Sequence, residues 1–422
     1  MNRIADTVPA AGQEGSVGEI QGLYGPFTFP EKLFQKIWRR GDFNRAAATL
    51  GDGRSLHVLH PGKWNLLGGP DFKDARLRFG SEEVRGDVEL HLRLEDWAAH
   101  GHAGDPAYAG VVLHVVLFPP RPGLVTRGKD GQEIPTLALL PLLHHDLEEY
   151  AAEEAVEHLA NRPAALVCEE LGRLGSAELG ALLQRLANRR WNQKVHFARL
   201  REQRLGWNAA CHHAALEIMG YRFNRAPMLR VAARFPLAQW TGSELALEAV
   251  LVSETGAWSL QGVRPANLPR VRLRQYAAWT RDRPGWPADW LALVEELPAG
   301  TGEGPSGTTA YRRRHRLGTL RERLASAVCA GAVSAGRFDT LCCDGLLPLA
   351  AARTGRDLRG LWFHWFPGDL PPCLPRALRE LGVTGQRETP ACHGVGQGLL
   401  GWLIDREARA QRPEATAFGR GA

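Results

Sequence analysis

The chain is poor in lysine. Only Lys32, Lys36, Lys63, Lys73, Lys129 and Lys194 occur among 52 basic side chains, so arginine supplies nearly all the positive charge. Long apolar runs are also missing. The most apolar stretches, Val111–Phe118 and Leu137–Leu143, fall far short of the ~18 residues that a membrane-crossing helix needs. Met1–Ile20 has acidic and glycine residues and no apolar block, which predicts no secretory signal. The seven cysteines are odd in number and form no Cys-x-x-Cys pair. That pattern excludes a small disulfide scaffold and predicts free thiols in a reducing cytoplasm. There is no P-loop, no G-x-G-x-x-G opening a helix after a strand, and no G-x-S-x-G elbow. A kinase, a dinucleotide oxidoreductase and an α/β-hydrolase are therefore disfavoured.

What is present is an ordinary globular mixture: 422 residues, 44% hydrophobic and 23% charged. That suits two or three domains of the usual size, ~100–200 residues each. The net charge of +6 divides unevenly along the chain. Residues 1–150 hold 16 basic and 20 acidic side chains, a balance of −4, and residues 151–422 hold 36 and 26, a balance of +10. An acidic front joined to a basic back fits a metal-using site beside a polyanion-binding surface.

Residues 1–20 read as a flexible arm. Pro30–Arg40 reads as a helix, Pro30 suiting its first turn, with Leu33, Phe34, Ile37 and Trp38 at helical spacing. Strands are expected at Leu56–Leu59, at Ala75–Phe79 and over Val84–Leu94, where Glu89, His91 and Arg93 share one face. A short helix near Trp97 and a doubly buried strand at Val111–Phe118 follow. Beyond residue 140 helical periodicity takes over, in Leu142–Ala160, Ser176–Arg204, Asn208–Met219, Pro227–Ala233, Glu244–Val252 and Trp290–Leu297. Residues 21–140 are thus expected to form an α/β domain and 141–297 a helical basic domain. Residues 298–310 read as a Gly/Pro/Ser/Thr linker or exposed loop, and 311–422 as a C-terminal helical region.

Functional side chains crowd Asn65–His114 as nowhere else. Asp71 follows a Gly68-Gly69-Pro70 turn, and Glu89 lies in the next strand. Neighbouring antiparallel strands bring two such carboxyls together, where they repel unless a cation sits between them. Mg²⁺ (or Mn²⁺) suits that role and can generate hydroxide and stabilise a phosphoryl transition state. His91 points to the Glu89 side and can position water or phosphate, and Glu31 can support the metal waters. His100, His102, Asp105 and His114 are secondary candidates, and with His91 they raise a different possibility, a Zn²⁺ hydrolase site. His114 also reads as a buried histidine with a satisfied hydrogen bond, and Trp97 and Tyr108 as core aromatics. Cys342, Cys343, Cys373, Cys392 and His393 read as buried side chains more readily than as a zinc site, given their irregular spacing. Arg189, Arg190, Lys194, Arg199, Arg312 and Arg313 are candidates for binding a nucleic-acid backbone, with a solvated helix face as the plain alternative.

The order Glu31, Asp71, Glu89, His91 resembles the PD-(D/E)XK nuclease superfamily, with His91 where that superfamily has lysine. The resemblance implies a restriction-endonuclease-like α-β-β-β-α-β core, here followed by a mainly α-helical region. A longer set is similar to the bacterial domain of unknown function 2851 family: Glu31, Ile37-Trp38, Asn65, Gly69 to Phe72, Asp74-Ala75, Gly86 to His91, Asp96-Trp97, His100, His102, Asp105, Tyr108 and Leu113 to Val116. That family's pattern includes the Glu-x-His form. The expectation is a cytoplasmic metal-dependent nuclease or its degenerate relative, with nucleic acid as partner and no membrane association. The alternatives are a non-catalytic nucleic-acid-binding or assembly module and a zinc-dependent hydrolase.

Overall fold

The computed structural model describes residues 17–22, 25–151, 154, 164–242, 245–260, 263–301, 304–387 and 389–410. The chain forms two compact units, residues 1–147 and 148–422. Most of the expected N-terminal arm lies outside the described residues. Its last part is not an arm: Val17–Gly22 (β1) pairs antiparallel with Gly25–Pro30 (β2).

Helix α1, Glu31–Arg40, starts directly after Pro30 and buries Leu33, Phe34, Ile37 and Trp38. Burying four such side chains stabilises by about 1.5–3 kcal/mol each. Gly41 ends the helix in the left-handed region, its N–H reaching the Ile37 and Trp38 carbonyls, as helix C-termini commonly do. Strands β3 (Leu56–His60), β4 (Lys63–Trp64), β5 (Phe72–Phe79) and β6 (Glu82–His91) follow. Then come the short helix α2 (Asp96–Ala99) and strands β7 (Val111–Val116), β8 (Thr126–Arg127), β9 (Glu133–Ile134) and β10 (Thr136–Ala138).

The main sheet runs β10-β7-β6-β5-β3, with β4 also on β5. The β3–β5 and β5–β6 pairs are antiparallel, whereas β6–β7 and β7–β10 are parallel. The sheet therefore changes sense at β6, which carries Glu89 and His91. Ala75, Leu77, Val88, Leu90, Leu113 and Val115 are fully buried within it. Gly86 is required where β6 meets the start of β7, because a Cβ there would lie 2.4 Å from Val112 Cγ1 and 2.8 Å from the Gly110 carbonyl.

The second unit is mainly helical. Of the expected helix Leu142–Ala160, residues 147–151 and 154 are helical, Leu140–Leu142 is a 3-10 turn, and most of the remainder lies outside the described residues. Helix Ser176–Leu205 packs along helix His393–Ala410. Gly398 allows that approach, since a Cβ there would fall 2.2 Å from the Leu183 carbonyl oxygen. Residues 298–310 do not separate two cores. Helix Trp286–Val294 before them packs on Leu317–Cys329 after them, and Trp286, Trp290, Leu317 and Leu324 belong to one continuous apolar cluster.

Candidate metal centre

The turn before β5 delivers Asp71. Asn65 Nδ2 donates to the carbonyls of Gly68 and Pro70, at 3.2 and 2.9 Å, and the Asn65 N–H donates to the Asp71 carbonyl at 2.7 Å. Gly69 takes φ +93°, a conformation glycine adopts without a Cβ penalty. Beyond Asp71, β5 is bulged: the register with β6 shifts between Phe72 and Ala75, and Asp74 sits at φ 57°. Phe72 pairs with Val88, so Asp71 falls beside Glu89. Across the parallel half Glu89 pairs with His114, and His114 pairs with Thr136. Paired residues share a face, so one row of polar side chains crosses an otherwise apolar sheet.

Asp71 and Glu89 are interlocked. The Asp71 N–H donates to Glu89 Oε2 at 2.9 Å, and the Leu90 N–H donates to Asp71 Oδ2 at 3.1 Å. Gln35, one turn along α1 from Glu31, donates from Nε2 to Asp71 Oδ1 at 2.6 Å. Its own amide is oriented by Trp64 Nε1, which donates to Gln35 Oε1 at 3.0 Å. Burial pushes the Asp71 carboxyl far above the usual carboxylate range, and the charges of Glu89 and Glu31 push it further. Burial also raises Glu89, against the Asp71 N–H and with the charge of Glu31. Glu31, buried at the start of α1, therefore acts electrostatically on both.

Three histidines face the free side of Glu89. His91 Nε2 and His102 Nε2 stand 3.6 and 3.4 Å from Glu89 Oε1. His91 Nε2 is 3.1 Å from His100 Nδ1. His91 Nδ1 is 2.9 Å from His114 Nε2, and His114 Nδ1 is 2.7 Å from Thr126 Oγ1. Burial holds His91 down to about 2, helped by His114, His102 and His100. Burial likewise holds His114 down to about 3. His102 is also lowered by burial, against the charge of Asp105. These imidazoles are neutral near pH 7 and do not offset the carboxylate charge. Their support is aromatic: His102 stacks on Tyr108 with centroids 3.8 Å apart, and Trp97 meets His91, His102 and His114.

The structure thus gathers Glu31, Asp71, Glu89, His91, His100, His102 and His114. Asp105 stays outside as an exposed turn cap, its Oδ1 accepting from the Ala107 N–H at 2.8 Å. Among the described residues, His91, His100 and His102 are the one group of three potential ligands whose ligating atoms converge, all within 4.8 Å of one another. The cysteines are free thiols with no such grouping. Four of the six candidate nucleic-acid-binding residues are occupied inside the helical unit. Arg189 pairs with Asp405, Arg190 donates to Gln397 Oε1, Lys194 pairs with Asp344 at 2.8 Å, and Arg312 donates to the His364, Trp365 and Ala391 carbonyls. Arg199 and Arg313 are exposed.

Sequence reasoning missed Gln35 and Thr126. The i, i+4 spacing from Glu31 could have placed Gln35 on the site face of α1. Nothing local marks Thr126, which reaches His114 only through the fold.

No curated protein and no solved structure matches the chain. The family model described as "Protein of unknown function (DUF2851)" matches residues 31–257, which contain every residue gathered at this centre. The chain belongs to that family.

Proposed function

We propose that the N-terminal unit is a divalent-metal-dependent hydrolase acting on phosphodiester bonds of nucleic acid. The observation that carries the reading is the interlocked, buried pair Asp71 and Glu89, beside Glu31 and with no lysine or arginine among the groups that perturb them. Like charges so placed are stabilised by a cation. With the two-residue β4 set aside, the order α1, β3, β5, β6, α2, β7 follows α-β-β-β-α-β and supports the nuclease resemblance, with Glu31 opening the helix, Asp71 directly before the second of those strands and Glu89 on the third.

Asp71 and Glu89 would form the acidic side of the ion's site, Glu89 facing the ion and the Asp71 N–H holding the Glu89 carboxyl. A bound divalent ion supplies a nucleophilic hydroxide at neutral pH and offsets charge on the phosphoryl oxygens. Gln35 fixes the Asp71 carboxyl, and Glu31 biases the protonation of both acids. Beside the turn before β5, exposed Lys73 places Nζ 3.9 Å from the Cβ position of Gly69. Lys73 is positioned to meet a backbone phosphate. The many arginines of the helical unit contribute less, because several are held in internal contacts.

The test is cleavage of DNA and RNA panels with Mg²⁺, Mn²⁺ or Zn²⁺, comparing wild type with Glu89→Gln. Metal-dependent products from wild type alone are expected. Equal products from both proteins, or none from either, contradict the reading. Nucleic-acid binding without cleavage would point instead to a non-catalytic module.

A further inference from the structure

We infer that the ion held here is a transition metal of the zinc class, bound by His91 Nε2, His100 Nδ1, His102 Nε2 and Glu89 Oε1, rather than Mg²⁺. The inference rests on the reading of this centre as a metal site and names the ion it takes.

The first argument is donor chemistry. Mg²⁺ takes oxygen ligands in near-octahedral array, whereas zinc and its neighbours favour imidazole nitrogen. Three imidazoles converge here, and two of them, His91 and His102, stand 3.6 and 3.4 Å from Glu89 Oε1.

The second is spacing. Ligand atoms ~2.0–2.1 Å from a tetrahedral zinc stand about 3.3 Å apart. The separations are 3.1 Å for His91–His100, 3.6 Å for His91–Glu89 and 3.4 Å for His102–Glu89. His100 is exposed on the turn after α2, and its ligating atom lies within 4.8 Å of those of His91 and His102.

The third is the hydrogen-bond chain behind His91, whose donors run one way. The Thr136 hydroxyl donates to the Ile134 carbonyl. The Thr126 hydroxyl, 3.4 Å from Thr136 Oγ1, then donates to it. Thr126 Oγ1 is left to accept from His114 Nδ1–H, and His114 Nε2 accepts from His91 Nδ1–H. The network assigns the lone pair of His91 to Nε2, the atom that faces Glu89, His100 and His102. Metal-bound histidines are commonly oriented in this way, by donating the other ring N–H to an outer partner. His114 and Thr126 are therefore positioning residues, which explains two buried polar side chains, one on β7 and one on β8.

The experiment is zinc titration of chelator-treated full-length protein against a competing indicator, with metal analysis after gel filtration. Wild type is expected to take one Zn²⁺ per chain and to keep it against a 100-fold excess of Mg²⁺. His100→Ala, altered at an exposed position, should lose that zinc. His114→Gln, which alters an outer partner only, should weaken binding by about 10–100-fold. Equal zinc uptake by wild type and His100→Ala would assign the metal to the free thiols and overturn the inference, as would Mg²⁺ displacing the zinc. Stoichiometric zinc without nucleic-acid cleavage would leave the inference standing and remove the hydrolase reading. Cleavage with Mg²⁺ in a protein that takes no zinc would do the reverse.

Discussion

The helical unit and the sheet unit both bury ionisable side chains, but they do so in opposite ways. In the helical unit several buried charges meet the other sign: Arg230 with Glu254 at 2.8 Å, Glu217 with both Arg201 and Arg225, and Asp339 with Arg321, while Arg272 is held by Asn267 and Gln275. Such pairs are closed, with the desolvation of each ion offset by its partner. In the sheet unit Asp71 and Glu89 take backbone and amide hydrogen bonds, and His91 and His114 on their side of the sheet are held neutral by burial. A site of this kind keeps its acids protonated when empty, and their ionised form is incomplete without a cation. That difference separates arginines that hold helices together from acids that hold a ligand.

The contrast can be broken by single substitutions. The largest effect is expected at Glu89→Gln, which should lower metal-dependent cleavage by at least about 10³-fold, as several kcal/mol of metal-borne stabilisation are lost. Arg230→Met should leave cleavage per folded molecule unchanged and cost about 3–5 kcal/mol in urea denaturation, since Glu254 stays buried without its partner. Gln35→Ala removes a hydrogen bond to a charged group worth about 1.5–3 kcal/mol, so kcat should fall by about 10–100-fold. Similar loss in KM instead would show that Gln35 acts on binding rather than on Asp71.

The smallest effect is on pH dependence, measured in chelator. Unfolded carboxyls titrate near 3.8 and 4.5, whereas Asp71 and Glu89 keep their protons to higher pH in the fold. The stability they contribute is present at low pH and is lost as pH rises. His91 and His114 act oppositely. The unfolded chain gains protons below 6.5 that the fold refuses until about 2 and about 3, so their contribution is lost as pH falls. Above about pH 6.5 the histidine effect is gone, and the carboxyl effect is joined toward pH 8.5 by buried thiols such as those of Cys211, Cys342 and Cys343, which the comparison with Asp71→Asn cancels. The metal-free Tm should decline from there to pH 8.5 in wild type and decline less in Asp71→Asn. A wild-type Tm that rises over that range would contradict the assigned shifts.

Much of the sheet unit was legible in the sequence, because period-two alternation and the Gly-Gly-Pro turn are local signals. α1, the antiparallel strands, the short helix at Trp97 and the buried strand at Val111 follow from them. The bulge at Lys73-Asp74 was not legible: Ala75–Phe79 alternates cleanly, but the strand begins at Phe72, and only cross-strand pairing reveals the extra residue. Nor was the parallel pairing of β10 with β7, which sets Thr136 beside His114 across 22 residues of chain. The face carrying Glu89 and His91 reads as polar and is buried, because Trp97 and Tyr108 close over it. Basic helices such as Ser176–Leu205 read as candidate nucleic-acid surfaces, yet the acids that hold Arg189 and Lys194 come from positions 405 and 344, beyond any local signal.

The most direct test of the account is thermal unfolding at pH 8, with and without saturating divalent metal, in wild type and in the double variant Asp71→Asn, Glu89→Gln. The account predicts a clear rise in Tm for wild type, since a ligand at 100 times its Kd adds about 2.7 kcal/mol. It predicts little or no rise for the variant, whose metal-free form should match or exceed wild type in stability. An equal metal-induced rise in both proteins would contradict it.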